Sequence, residues 1–396
     1  MRFFGRSNNT SCPYCYHEFN INKVAFRCSG NGQPGLPPCP DVVDERRVQV
    51  FGDAPPTKPT LVGPSGDILG KDNASCPNCG GKTGIRLCPH CHSRLPASLD
   101  AESPLFGLVG VRNSGKTVFL SVLHKELVGP VGRRFNASIE TPGGLQGYAR
   151  DLAQFNQAME SDSRLPAQTS RGNRHAEPAL YDWKYSQNGK TRSTVFSFYD
   201  SAGEDLADIN TTESQQYLKS ANGIILLLDP FAFPENMRIA GEKGALAEQN
   251  PTPPDVVISN LVEVVRASRG LKPNKQIKIP IAVAVAKIDA FFDQIPEHSP
   301  IRRNSGTQPA FDQQDSIDVH EHMIALIQQW GGDNLVRKVQ QEFETYRFFG
   351  VSALGAEPDY KGSTINSRGI LPHRVVDPLL WLMANRGFIP SINAKR

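Results

Sequence analysis

The sequence predicts an α/β fold: a three-layer sheet with one antiparallel hairpin strand, preceded by two small cysteine-stapled units. Three observations carry that expectation. From Leu105 onward, short apolar runs alternate with stretches whose apolar residues recur at helical spacing, the pattern of a doubly wound sheet. Gly223–Leu228 and Ile281–Ala286 are unbroken apolar runs, as strands buried on both faces require. All eight cysteines fall between Cys12 and Cys91, and none follows in the long C-terminal part.

The N-terminus, Met1-Arg-Phe-Phe-Gly-Arg, lacks the apolar core of a signal peptide, and no run of about 18 apolar residues occurs. A cytoplasmic protein without a membrane segment is therefore expected. A reducing cytosol keeps thiols free, so paired Cys-Pro-x-Cys motifs read as metal ligation rather than disulfides. Each motif makes a tight knuckle whose two thiolates meet one Zn²⁺, and two knuckles complete a tetrahedron. Spacing assigns Cys76, Cys79, Cys88 and Cys91 to a zinc ribbon at residues 74–96. Cys12, Cys15, Cys28 and Cys39 form a looser ribbon-like unit within residues 1–50, with His17 as a substitute ligand. Four thiolates per site leave no open coordination position, so the expected zinc is structural. Residues 51–73 are rich in Pro and Gly and read as a linker or an insertion.

The third unit spans residues 104–390. Leu105–Val109 reads as a strand, and Gly110-Val-Arg-Asn-Ser-Gly-Lys116-Thr117 completes a GxxxxGK(S/T) loop. Val118–Leu127 follows at helical spacing. Strand, Gly-rich turn and helix make this a phosphate-binding loop and the fold a P-loop NTPase. Gly110, Ser114 and Gly115 would let backbone N–H groups curl around phosphate oxygens, helped by the helix N-terminus. Lys116 would reach the terminal phosphates, and the Thr117 hydroxyl would bind Mg²⁺.

Further along, Ala179–Tyr185 and Ser193–Tyr199 flank Asn188-Gly189, a hairpin signal. Arg347–Val351 reads as the last strand. Helices are expected near Val256–Ser268, Ile317–Trp330, Asn334–Thr345 and Val375–Asn385. Phe231–Pro254 and Ile295–Gln314 are polar, Pro-rich and read as mobile connections. The net charge of +3 is too small to imply nucleic-acid binding by itself.

The strand ends carry further motifs: Asp200-Ser-Ala-Gly203, Lys287-Ile-Asp289 and Ser352-Ala-Leu354. With the phosphate loop, in this order and each after a strand, the series resembles the translation-factor-related (TRAFAC) class of P-loop GTPases over residues of about 104–390. The resemblance implies GTP and Mg²⁺ as ligands. Asp200 would hold the Mg²⁺ shell through water, and the Gly203 N–H would sense the γ-phosphate, making residues 200–212 a switch. The Asp289 carboxylate would accept two hydrogen bonds from guanine N1–H and the exocyclic amine, a pair that adenine does not offer. Lys287 would pack along the base and the phosphate loop, and backbone N–H groups at Ser352 and Ala353 would meet the guanine carbonyl. The threonine of the other switch is assigned to Thr169, ahead of Ser170 and Thr141. Arg164 is weighed as an internal arginine finger against an ordinary solvated residue, and the latter is favoured.

Two positions depart from the class. The residue before Lys287 is Ala286 where Asn or Thr is usual, which removes a side chain that would tie base to loop. Glu204 stands where small GTPases place a water-positioning Gln, and a carboxylate there is repelled by the γ-phosphate, so slow or activator-dependent hydrolysis is expected. Asn113 offers another route. Loops of the form GxxNxGK(S/T) resemble those of GTPases that bind K⁺, a cation that would neutralise charge developing between the phosphates.

Two zinc ribbons ahead of such a domain are similar to bacterial double-GTPase proteins of conflict or defence systems, usually encoded beside a partner GTPase. This resemblance implies a switch whose ribbons dock a protein partner, with a nucleotide-dependent dimer as a further option. Other readings stay open. In a nucleic-acid- or ribosome-associated factor, Tyr14, Tyr16, Phe19 and Phe26 would stack on bases, although a core role for them is favoured. In an ATPase, Asp229 after Ile224–Leu228 would be the metal-binding acid. A nucleotide-binding scaffold would show little turnover.

Overall fold

A computed structural model describes residues 8–52, 54–61, 72–100, 103–110, 114–141, 147–165, 178–187, 190–200, 212–245 and 251–392. Its centre is a seven-stranded sheet. The strands are β1 (Leu105–Gly110), β2 (Ala137–Glu140), β3 (Ala179–Gln187), β4 (Lys190–Asp200), β5 (Gly223–Leu228), β6 (Ile281–Val285) and β7 (Tyr346–Gly350). Their spatial order is β7-β6-β5-β1-β4-β3-β2. From β7 to β4 every pairing is parallel, and β3 returns antiparallel to β4 with Gln187 opposite Lys190, the register of a two-residue hairpin turn. One strand was not anticipated: β2 adds antiparallel to β3, with Ile139 opposite Trp183. It has only four residues, and Ile139 alone among them is buried, too short a pattern to stand out.

Successive residues of the central strands face opposite sides, which creates the three layers. Leu105, Val109, Ile224, Leu226, Ile281 and Val283 join one core. That core is covered by α3 (Thr212–Ser220), α4 (Pro254–Arg269), α5 (Gln313–Gln329) and α6 (Asp333–Glu342). Phe106, Leu108, Ile225, Leu227, Ala282 and Ala284 join the other, under α1 (Lys116–Glu126), α2 (Gly147–Asp162) and α7 (Asp377–Asn385). α1, α4, α5, α6 and α7 thus lie where periodicity puts them, with ends displaced by a few residues, whereas α2 and α3 were not anticipated.

The described residues of the two connections read as mobile, 231–245 with 251–254 and 295–314, are built into the molecule instead. Phe231 and Phe233 are buried, and 3₁₀ turns at Pro230–Ala232 and Pro234–Asn236 lead into a helix at Met237–Lys243. In the second, Ile295, Ser299 and Ile301 are buried around a 3₁₀ turn at Pro300–Arg302. Proline sits at the first position of these turns, where its missing N–H costs nothing.

In the N-terminal part, Ala25–Arg27 pairs with both Thr60–Leu61 and Arg86–Leu87. Segments far apart in sequence therefore share one small sheet. Asp44 ties them further. It caps the Glu45–Phe51 helix at the Arg47 N–H, accepts from the Thr60 hydroxyl at 2.7 Å, and lies 2.9 Å from His92 Nδ1. Burial works to raise its pKa, but those hydrogen bonds outweigh it and hold Asp44 below the ordinary carboxylate range.

Candidate functional site

The phosphate loop leaves the C-terminal end of β1, the middle strand of the sheet, where ligands bind in open α/β folds. Gly110 closes that strand in a space that admits no side chain: a Cβ there would stand 2.8 Å from the Leu227 carbonyl oxygen and from Ser114 Oγ. Gly115 takes a φ of +83°, the left-handed conformation that glycine supplies cheaply, and hands the chain to α1. Ser114 and Lys116 are buried, and Lys116 Nζ donates to the Gly110 carbonyl at 2.8 Å. Thr117 is the second residue of α1. Asn113 lies outside the described residues.

Asp200 ends β4, and its backbone is in register with Leu108 of β1. The end of the Asp200 strand and the strand that carries the phosphate loop are thus direct neighbours. Gly203, Glu204, Thr169 and Ser170 lie outside the described residues. Thr141 follows β2, and Arg164 is exposed with its backbone bridged to Thr364.

The end of β6 delivers the other expected group. Lys287 is in the left-handed region at φ 51°, and its Cε lies 3.9 Å from where a Cβ on Gly115 would be. The lysine stem therefore runs across the phosphate loop. Its Nζ donates to Asp229 Oδ2 at 2.7 Å and stands 5.6 Å from the Phe231 ring centroid. Asp289 follows two residues later. Its pKa is raised mainly by burial, with Glu357 adding repulsion, while a hydrogen bond with the Ser352 hydroxyl and the nearby Lys287 work the other way. Ser352 also accepts the Gly355 N–H at 2.7 Å, and its own N–H goes to the His373 carbonyl, so that N–H is already engaged and is not the one expected to meet a guanine carbonyl. Ala353 is partly buried beside it. The ends of β1, β6 and β7 thus bring Gly110, Lys116, Lys287, Asp289, Ser352 and Ala353 to one edge of the sheet.

Sequence reasoning missed the rest of this wall. Tyr360 packs edge-on against Phe231 at 5.6 Å, and its hydroxyl is buried with no hydrogen-bond partner among the described residues. Lys243 pairs with Glu357. The loop that carries both groups also bonds the end of α2, through Leu165 N–H to Ser363 O and Ile365 N–H to Ser163 O, each at 2.9 Å.

The eight cysteines form two tetrads, but not the two expected from spacing. Cys12, Cys15, Cys88 and Cys91 gather in one, and Cys28, Cys39, Cys76 and Cys79 in the other. Each tetrad takes two thiols from either side of the 51–73 segment, so the sequential grouping is corrected to an interleaved one. Across the segments, Cys12–Cys91, Cys15–Cys88, Cys28–Cys79 and Cys39–Cys76 sulfurs stand 3.7, 3.9, 3.5 and 3.7 Å apart. Zn–S bonds of about 2.3 Å set tetrahedral edges of about 3.8 Å, so the tetrads fit Zn²⁺. The knuckles show how the sequence builds them. Each Cys-Pro-x-Cys is followed by a left-handed residue: Tyr16 (φ 61°), Gly80 (φ 69°) and His92 (φ 53°). The N–H of each donates to the carbonyl of the first cysteine in its motif. N–H groups of Tyr14, Gly30 and His90 approach Cys12, Cys28 and Cys88 sulfurs at 3.3–3.4 Å. His17 packs its ring on His90 at 3.5 Å and donates from Nδ1 to the Cys15 carbonyl, so it is not one of the four ligands.

This module is docked on the α/β unit. Tyr16 packs its ring 5.1 Å from that of Tyr217, and its carbonyl accepts the Ser220 hydroxyl at 2.8 Å. Both partners belong to α3, the helix after the Asp200 segment. Tyr217 in turn accepts the Leu108 N–H and donates to the Phe106 carbonyl of β1. Tyr16, Phe19 and Phe26 are buried, so they serve the core and not base stacking.

The model of the family described as Double-GTPase 2 matches residues 105–342. The chain belongs to the Double-GTPase 2 family. A curated relative, a candidate ESX-1 scaffolding and assembly protein, SaeC, from Mycolicibacterium smegmatis, is 24% identical over 335 residues, covering 77% of this chain and 81% of that one. Among solved structures, the GTP-bound GTPase-like domain of S. cerevisiae Ski7 aligns with a TM-score of 0.35 at 14% identity, over 72% of this chain and 51% of that one. GDP-bound sup35 aligns with a TM-score of 0.23 at 10% identity, over 67% and 40%. The Double-GTPase 2 chain thus spans about half of the Ski7 chain, and less of sup35. Among its described residues, no helix is long and apolar enough to cross a membrane.

Proposed function

We propose that this protein is a guanine-nucleotide switch that binds GTP with Mg²⁺ and hydrolyses it slowly, with its cysteine module as a protein-docking element. One observation carries the reading: Lys116, Lys287, Asp289 and Ser352 meet at one edge of the sheet, in the order and at the strand ends that the chemistry needs. Family membership supports a guanine nucleotide as the ligand. Thr117 and Asp200 are the residues that would hold Mg²⁺, and the ion would neutralise phosphate charge. Asp289 would select guanine through N1–H and the exocyclic amine. Lys116 would leave the Gly110 carbonyl for the phosphates.

Glu204, Gly203 and the switch threonine, Thr169, belong to the turnover part of the proposal, with K⁺ at Asn113 as the charge-neutralising cation. Exchange of Glu204 for Gln should speed single-turnover hydrolysis, whereas unchanged rates would remove that residue from the chemistry. If NaCl in place of KCl leaves hydrolysis unaltered, the Asn113 part is wrong. The two tetrads would each hold a structural Zn²⁺, and the contact between Tyr16 and α3 would let the module sense the nucleotide state. A conflict-system role rests on resemblance in architecture alone.

A second reading is favoured by the SaeC relative: a scaffold that binds nucleotide and assembles proteins with little turnover. An ATPase built on Asp229 is disfavoured, because Lys287 and the Phe231 N–H already engage that carboxylate. Binding and turnover of GTP and ATP, measured in parallel, separate the three.

A further inference from the structure

Asp229 directly follows β5, one strand away from the position where this chain has Ala286. Leu228 of β5 is in register with Val285 of β6, and the Ala286 N–H donates to the Leu228 carbonyl at 2.9 Å. Asp229 and Ala286 are therefore lateral neighbours. Asp229 is buried and makes two bonds. One oxygen accepts the Phe231 N–H at 3.0 Å, which caps the 3₁₀ turn, and the other accepts from Lys287 Nζ at 2.7 Å. The capped turn also brings the Phe231 ring to 5.6 Å from the same ammonium, and Tyr360 braces that ring edge-on. Lys287 is thus held at both ends. Its backbone is fixed in the left-handed region, a conformation an L-residue keeps only when its surroundings demand it. Its head is fixed by Asp229, and its stem crosses Gly115 of the phosphate loop between the two.

We propose that Asp229 is the positioning residue of the nucleotide site, supplying from the neighbouring strand the tether that Ala286 cannot, by holding Lys287 across the phosphate loop. This rests on the guanine-nucleotide reading and adds to it a division of labour. Asp289 reads the base, while Asp229 presets the platform against which any purine nucleotide packs. A preset lysine stem spares the entropy of ordering a long side chain on binding.

The test is a double-mutant cycle on the full-length, metal-loaded protein. Binding of GDP and of ADP with Mg²⁺ is measured for wild type, Asp229→Asn, Lys287→Met and the double variant, with melting temperature alongside. Asp229→Asn retains an oxygen for the Phe231 N–H and removes the ion pair, and Lys287→Met retains the stem and removes the charge. Each should weaken GDP and ADP alike, by about tenfold as for one charge-assisted hydrogen bond, and the double variant should lose no more than either. The ratio of GDP to ADP affinity should stay fixed, whereas Asp289→Asn should collapse it. Asp229→Glu, which keeps the charge, should bind nearly as wild type does. Wild-type affinity in Asp229→Asn, multiplied losses in the double variant, or a loss shared with Asp229→Glu and tracking melting temperature would each overturn the proposal. Wild-type protein that binds neither nucleotide would overturn the underlying reading, and this one with it. Wild type that prefers ADP would sink only the guanine assignment.

Discussion

A partly buried carboxylate is kept ionised only at a cost, and Asp289 shows that cost in a pKa raised by desolvation and by Glu357. The charged form is the one that can accept both guanine N–H groups. Guanine preference should therefore weaken on acidification, and should begin to do so at a higher pH than an exposed aspartate would allow. Affinity for GTP and ATP measured across acidic pH checks this, and a ratio that does not move would count against Asp289 as the reader. Asp289→Asn should cost GTP about a hundredfold in affinity and leave ATP nearly unchanged, since a buried guanine donor would lose its acceptor. Gly110 is as exacting sterically. Its alanine variant would press on the Leu227 carbonyl, so the phosphate loop should shift and stability fall by about 1–3 kcal/mol.

At the scale of elements, β7 carries a pH-sensitive contact. The Phe348 N–H donates to His320 Nδ1 at 3.0 Å, and burial, with Arg347 nearby, lowers the His320 pKa to about 4. The folded state thus favours the neutral ring. Between the ordinary histidine value of about 6.5 and about 4, the unfolded chain binds more protons than the folded one, so stability falls as pH drops through that window. Urea unfolding at pH 7 and pH 4.5 should show this loss, and show it shrink in His320→Asn. Much of this layer was legible in the sequence. Gly223–Leu228 and Ile281–Val285 are continuous apolar runs because both faces of each strand are covered, and the Asn188-Gly189 hairpin follows from turn chemistry. The role of Asp229 was not legible, because its partner, Lys287, comes from another strand and only register brings them together.

For the whole molecule, the cysteine tetrads teach the same limit. A Cys-Pro-x-Cys motif sets its own knuckle through local turns, but which two knuckles share a metal is decided by tertiary packing. The Ala25–Arg27 strand, bound on both sides, makes that decision here. Interleaving has a testable consequence. Elemental analysis should find two zinc ions per chain, and Cys12→Ser with Cys15→Ser should remove the ion that Cys88 and Cys91 would otherwise share. Chelation should unfold both halves together, because neither tetrad belongs to one half alone. Since Tyr16 rests on Tyr217 and Ser220, hydrogen exchange in α3 should rise as well, and protection unchanged by chelation would deny the link between module and switch. In the proposed function, the edge of the sheet formed by Lys116, Lys287 and Asp289 takes a guanine nucleotide. Its most direct test is equilibrium binding and turnover of GTP and ATP in parallel by the zinc-loaded protein, with Lys116→Ala as the control. Selective GTP binding lost in the variant is the predicted result, and preference for ATP, or binding that survives the loss of Lys116, would contradict it.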